Sequence, residues 1–304
     1  MTDLILHHYS MSPFAEKARA MLAYKKLPWK SVKIPFVMPK PDLMPLTGGY
    51  RKTPVLQIGA DVYCDTLLIG MVLERLHPVP SLYPAGTVGT ADIVAWWADH
   101  TLFNAATAAV FSETADSLPA EFFADRAAFS GQPMDPTRIK AAKPMLQDAV
   151  KVPLAWIENA LSNGRDWVLG DQLSVADLAC YHCVWFIAGR GGAPHLLEGF
   201  PLVRAWHDRI VGFGKGLRTE MDSKEALAVA KAATPLAVHR GGSINGIQPG
   251  ANVRVRADDS GKDPVTGELL LVTGDEIVIR RTDDLVGEIH QHFPRAGFLV
   301  SPAK

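Results

Sequence analysis

Little in this chain speaks for an oxidising, polyanionic or membrane setting. Cysteine is scarce: Cys64, Cys180 and Cys183 are the only three in 304 residues. That is too few for a disulfide framework and fits a reducing cytoplasm. Charge is balanced, with 31 Lys or Arg against 32 Asp or Glu and a net charge of −1. No electrostatic footprint for nucleic acid or an anionic membrane follows from it. No uninterrupted apolar run approaches the ~20 residues of a membrane-spanning helix. The N-terminus carries no basic region followed by an apolar core, so no secretory leader is expected. Repeats and low-complexity tracts are missing too. Cys180 and Cys183 invite a redox or zinc reading, but they sit in Leu178-Ala179-Cys180-Tyr181-His182-Cys183-Val184-Trp185-Phe186. This reads as a buried helix, in which free cysteine acts as a small hydrophobe, and zinc would need further well-spaced ligands.

What is present is ordinary globular composition, 48% hydrophobic and 21% charged, at a length that predicts about two or three domains. Residues 4–9 read as a buried strand, and a helix is expected from Pro13 to about Lys25 with Phe14, Ala18, Met21 and Leu22 on one face. Trp29–Ile34 alternates like a strand. A loop with Pro35, Pro39, Pro41 and Pro45 follows, then strands at 53–58 and 62–63 and a helix capped by Asp65 that runs to about Leu76. From about Thr87 the pattern turns helical, with a helix over 91–109. Asp135-Pro136 opens a helix reaching about Leu161 that Pro144 and Pro153 should kink or split. Ser174-Val175-Ala176-Asp177 resembles a capping box with Asp for the usual Glu. Pro201 opens a further helix, and Asp222 caps the last one. After Pro235, glycine pairs and alternating runs such as 252–256 and 276–280 predict strands. Three regions result, 1–82, 87–233 and 235–304. The last lacks Trp, Tyr and Cys.

Ser12-Pro13-Phe14 stands where the first strand turns into the first helix. Ser12 is a good N-cap and Pro13 suits the first helical position. The same geometry offers a hydroxyl and free N–H groups to an anion. In order behind it come Thr53-Pro54-Val55-Leu56, Asp65-Thr66 and the 174–177 box. With these, residues 1–232 resemble the soluble glutathione transferase superfamily, and the Ser-Pro-Phe start is similar to its serine-type classes. The resemblance implies an α/β plus all-α fold: a thioredoxin-like N-terminal domain, a helical C-terminal domain and a small appended mainly-β domain. It implies glutathione as co-substrate, no metal, a cytoplasmic homodimer, and attack of the activated thiol on a hydrophobic electrophile or peroxide.

Carried onto this chain, the resemblance makes Ser12 the group that promotes the thiolate, with Tyr9 and then Ser10 as rivals. Phe14, Lys40, Lys52, Thr53, Pro54, Asp65 and Thr66 complete the glutathione contacts. Pro54 would be cis, with Thr53 pairing its backbone to the peptide. Asp65-Thr66 would hold the γ-glutamyl end, although Asp is shorter than the usual Glu. Lys40 and Lys52 would meet the glycyl carboxylate. Serine at position 12 argues against the thiol-transferase branches, which use cysteine there. Trp96, Trp97, Phe103, Phe111, Phe122 and Phe123 are candidates for the electrophile side or the core. The β region departs from the family's two-domain plan. Its His290 and His292, two apart, would share one strand face in a structural role. The appended region also supports an alternative, a non-catalytic transferase-like scaffold that uses it for interaction.

Overall fold

Ser12 and Pro13 start α1 (Pro13–Tyr24) between the parallel strands β1 (Ile5–His8) and β2 (Pro28–Lys33). The structure is a computed structural model describing residues 3–189 and 192–303. The proline-rich loop contains a short helix, α2 (Met44–Thr47), which sequence periodicity did not reveal. After it, β3 (Val55–Ile58) runs antiparallel to β1, and β4 (Asp61–Cys64) antiparallel to β3. α3 (Thr66–Leu76) completes a thioredoxin-like half. The Thr53–Pro54 peptide is cis.

The second half is helical. α4 (Thr90–Trp97) passes through a π-helical stretch, Ala98–Leu102, into α5 (Phe103–Thr114), so the helix expected over 91–109 is longer and carries a wider turn. α6 (Ala120–Ser130) follows. The helix expected from Pro136 is split into α7 (Pro136–Ala141) and α8 (Lys143–Leu161). Pro144 lies in the first turn of α8, where its missing N–H costs nothing, and α8 continues through Pro153. α9 (Val175–Ala188) is buried nearly all round, as an apolar helix at a core centre must be. Its box is complete: Asp177 accepts from the Ser174 N–H at 2.9 Å, from the Val168 N–H at 2.7 Å and from Trp206 Nε1 at 3.1 Å. The shorter Asp therefore serves. α10 (Pro201–Val211) leads to β5 (Leu217–Glu220), an unexpected strand parallel to β2, and to α11 (Ser223–Ala232).

The C-terminal region is β-rich as expected, with β6 (Asn252–Ala257), β7 (Val265–Val272), β8 (Glu276–Asp283), β9 (Gly287–Pro294) and β10 (Phe298–Pro302). It does not stand apart. β9 runs parallel to β4, pairing Asp61 with His290, Val62 with Gln291 and Tyr63 with His292. One sheet of order β10-β6-β7-β8-β9-β4-β3-β1-β2-β5 results. Val55, Val62, Cys64, Leu43 and Leu46 share a core with Val253, Val255, Ile277, Ile279, Ile289 and Phe293. Gly48, in the left-handed region at φ 58°, lets the strands approach α2, since a Cβ there would meet Arg281 Nε at 2.9 Å. Gln291 Nε2 donates to the Thr47 carbonyl at 2.9 Å, and Arg281 donates to Gln291 Oε1 at 2.9 Å and to the Pro45 carbonyl.

His292 stitches the two parts electrostatically. Its Nδ1 donates to Glu276 Oε1 at 2.6 Å and its Nε2 to Asp61 Oδ1 at 2.9 Å, and the ring stacks on Tyr63 at 4.3 Å. Burial pushes the imidazole pKa down, but the hydrogen bonds and charges of Asp61 and Glu276 outweigh it and hold the pKa above its ordinary value. Such a pair of carboxylates favours the imidazolium. His290, also buried, lies 3.7 Å from Glu288.

Candidate active site

A cleft of 260 Å³ opens where the first helix, the proline loop, the helical half and the β region meet. At its floor, Ser12 Oγ accepts from the Ala15 N–H at 3.1 Å. One lone pair is thus used for capping, and the hydroxyl proton is free to be donated. Ser12 is 2% exposed and lies at the positive end of α1. Phe14 packs on Phe103 at 4.6 Å and on His182 at 4.7 Å. Tyr9 also lines the cleft, with Phe36 at its edge and the Lys40 ammonium 5.8 Å over its ring. Ser10 is outside the cleft: it is exposed and accepts from Lys33 Nζ at 3.2 Å. Every other residue proposed from the sequence for glutathione contact lines it.

Lys40 Nζ donates to the Arg51 carbonyl at 3.0 Å and to Thr53 Oγ1 at 3.1 Å. Burial, then the nearby Arg126 and Arg51, push its pKa down to about 8. Lys52 Nζ forms an ion pair with Asp259 Oδ1 at 2.5 Å. Asp65 caps α3 by accepting from the Leu67 N–H at 2.9 Å. Its φ of 74° is uncommon for a residue with a Cβ, and strain of this kind concentrates at functional sites. Burial raises its carboxyl pKa, partly offset by Lys52 and the Leu67 N–H. Thr66 is 2% exposed, and its Oγ1 has no hydrogen-bond partner among the described residues. A buried hydroxyl without a partner costs about 1–3 kcal/mol, so this atom marks a place for a polar ligand group.

The opposite wall comes from the helical half. Trp96, Asp99, His100, Phe103 and Asn104 line the cleft from α4, the π-helical turn and α5. That turn holds Asp99 against the fully buried Lys17 at 2.5 Å and His182 at 3.0 Å. Burial raises the Asp99 pKa, but Lys17 and His182 more than offset it and keep the carboxylate ionised. The remaining aromatic candidates turn elsewhere. Trp97 packs on Trp156 at 5.8 Å, and Phe111, Phe122 and Phe123 pack on one another. Cys180 and Cys183 are buried in α9, and burial pushes both thiols well above the ordinary range.

Sequence reasoning missed Asp99, His100 and Asn104 of the helical wall, and two further groups. Arg51 pairs with Asp125 of α6, and the β region contributes Asp258, Asp259, Ser260, Ala296, Gly297 and Phe298 to the cleft. No local signal marks either, because the partners are joined only by tertiary structure.

Two family models match, "Glutathione S-transferase, N-terminal domain" over residues 6–81 and "Glutathione S-transferase, C-terminal domain" over residues 125–212. Among solved structures, a GST-like protein from Pseudomonas syringae is 38% identical, with a TM-score of 0.77 and 100% of both chains covered. A glutathione S-transferase from Rhodospirillum rubrum F11 is 24% identical, covering 68% of this chain and 87% of that one at a TM-score of 0.53. FzlA from C. crescentus, 20% identical, covers 81% and 96% at 0.52. The last two share the fold. No curated protein matches. A strand–turn–helix start, a cis Thr53–Pro54, a capped Asp65–Thr66 turn and a helical second half agree with both family models and with a full-length GST-like structure: the chain belongs to the glutathione S-transferase superfamily.

Proposed function

We propose that the protein is a serine-type glutathione transferase in which Ser12 stabilises the thiolate. The observation that carries the reading is the pair of buried hydroxyls at two helix starts, Ser12 with a free proton and Thr66 with no partner among the described residues. A peptide thiol fits both: Thr66, its N–H and the start of α3 suit the α-carboxylate of a γ-glutamyl group, and Ser12 suits the sulfur. Thr53 would pair its backbone with the cysteinyl residue, beside Pro54. Lys40, which has no carboxylate partner among the described residues, suits the glycyl end. Phe14, Trp96 and Phe103 offer the apolar surface for an electrophile.

A free thiol has a pKa near 8.5 and is a few per cent ionised at pH 7. Lowering that pKa by roughly two units needs about 2.7 kcal/mol of preferential thiolate stabilisation. One hydrogen bond to a charged group contributes about 1.5–3 kcal/mol, and a helix N-terminus about 0.3–1. Ser12 and α1 together meet the requirement without a general base. The thiolate then attacks an electrophilic carbon, expelling its leaving group or opening its ring or double bond to give a thioether. Alternatively it attacks a peroxide oxygen, cleaving the O–O bond to an alcohol and a glutathione sulfenic acid that a second glutathione converts to the disulfide and water.

The reading keeps residues 1–82 as the glutathione-binding domain and 87–233 as the domain holding the electrophile. It includes a cytoplasmic homodimer. The edge of β4 is filled by β9 of the same chain, so a second copy would dock on another face; light scattering after size exclusion measures the assembly. The deciding experiment is calorimetric titration with glutathione, followed by ultraviolet absorbance of the bound thiolate and a panel of haloaromatics, epoxides, maleyl compounds and peroxides. Binding with a thiolate signal at pH 7 supports the reading. No binding at millimolar concentration removes it and leaves the non-catalytic scaffold.

A further inference from the structure

The cleft holds two lysines suited to a peptide's terminal carboxylate, and they are in different states. Among the described residues Lys40 donates to a carbonyl and a hydroxyl and has no carboxylate partner, whereas Lys52 is already paired with a carboxylate, that of Asp259. Asp259 comes from the loop between β6 and β7, 207 positions along the chain. The loop backbone is pinned on both sides of it. The Asp258 N–H donates to the Gly297 carbonyl at 3.0 Å and the Gly261 N–H to the Phe129 carbonyl at 2.8 Å. Gly261, at φ 60°, fits so closely that a Cβ would stand 2.6 Å from the Phe129 ring. The side chain of Asp259 is held less firmly. It is 44% exposed and that of Lys52 17%, so the pair stands at the mouth of the cleft within reach of water. Ion pairs so exposed contribute little to stability.

We infer that Asp259 is a built-in competitor for the terminal carboxylate of the thiol peptide, occupying Lys52 until a substrate carboxylate displaces it. The inference rests on the glutathione reading and adds the specificity of one end of the site. Exchanging one carboxylate for another on the same ammonium returns little net Coulomb energy, so Lys52 contributes less to affinity than an unpaired lysine would. The peptide's glycyl end is then recognised mainly through Lys40. Thiol peptides whose terminal carboxylate is esterified or amidated are consequently tolerated better than in a site with a free Lys52.

The test is calorimetric titration at low ionic strength of the full chain, its Asp259→Asn, Asp259→Ala and Lys52→Ala variants, and the Asp259→Asn/Lys52→Ala double variant. Each is titrated with glutathione and with its glycyl ethyl ester. Both Asp259 replacements should bind glutathione about two- to fivefold tighter and leave affinity for the ester unchanged. Lys52→Ala should change little by itself, yet abolish the gain in the double variant. Glutathione binding in the full chain with no gain, or a loss, in both Asp259 variants overturns the competitor role alone. Absence of glutathione binding in every form overturns the glutathione reading and this inference with it.

Discussion

The two ends of the single sheet make an instructive pair. β1–β4 carry the turns from which Ser12, Thr53, Asp65 and Thr66 reach the cleft, each within a short motif. β6–β10 carry no motif, yet their loops supply a wall of the same cleft and their apolar face completes the same core. One end brings the chemistry and the other encloses it. The difference shows that strands without a recognisable motif can still wall a cleft through the loops they carry.

The comparison breaks most visibly if the two ends fold independently. Deleting residues 235–304 should strip the edge of β4 and the core contacts of Val62 and Cys64. The expected outcome is an aggregated or partly unfolded chain by size exclusion and circular dichroism; a soluble, native-like remainder would refute the shared core. Next in size is the electrostatic stitch. His292→Leu leaves the buried Asp61 without its cation and Glu276 with Arg75 alone, and should cost about 3 kcal/mol in urea unfolding at pH 6.

The stitch also has a pH signature. A histidine whose folded pKa is raised gives its stabilisation fully below the ordinary 6.5 and loses it as pH rises through the folded value. Burial lowers the pKa of His7 to about 4 and that of His8 to about 2. They act in the opposite sense, so stability falls as pH drops below 6.5. His292→Leu should therefore flatten the alkaline limb of a stability–pH curve and leave the acid limb in place; loss of both limbs would deny the assignment.

At the chemical end, Ser12→Ala should raise the pKa of the bound thiol and lower conjugation rate at pH 6.5 by about 1.5–3 kcal/mol of transition-state stabilisation. Loss of the cap should cost about 1 kcal/mol of stability as well. Unchanged thiolate absorbance would transfer the role to Tyr9. The smallest effect is the sharpest. Thr66→Val removes a hydroxyl that has no hydrogen-bond partner among the described residues, so thermal stability should hold or rise. Glutathione affinity should weaken by about 0.5–1.5 kcal/mol; a destabilised protein with unchanged affinity would sink the ligand role of Thr66.

Legibility in the sequence followed the range of the interactions. Ser12-Pro13, Asp65-Thr66 and the Ser174–Asp177 box are local, because a cap needs only its own first turn. Their positions, and the order of strands and helices around them, could be read directly. The π-helical turn that carries Asp99 and His100 had no signal, since packing against Lys17 and His182 selects it over an ordinary turn. β5 is exposed and short, and pairing with β2 makes it a strand. The place of the C-terminal strands was equally hidden. Alternation in 276–280 identifies a strand but not its neighbour, and only the match of β9 with β4, residue pairs Asp61–His290, Val62–Gln291 and Tyr63–His292, decides that.

That match has a consequence for how the protein is made. The partner of β4 leaves the ribosome more than two hundred residues after it. Until then the strand edge and the face around Val62 stay uncovered in the nascent chain. Contacts so distant in sequence slow folding, and an open edge in waiting invites pairing with other chains. Synthesis cut short before β9 would thus yield fragments that carry Ser12, Thr53 and Thr66 and leave the β4 edge without its partner.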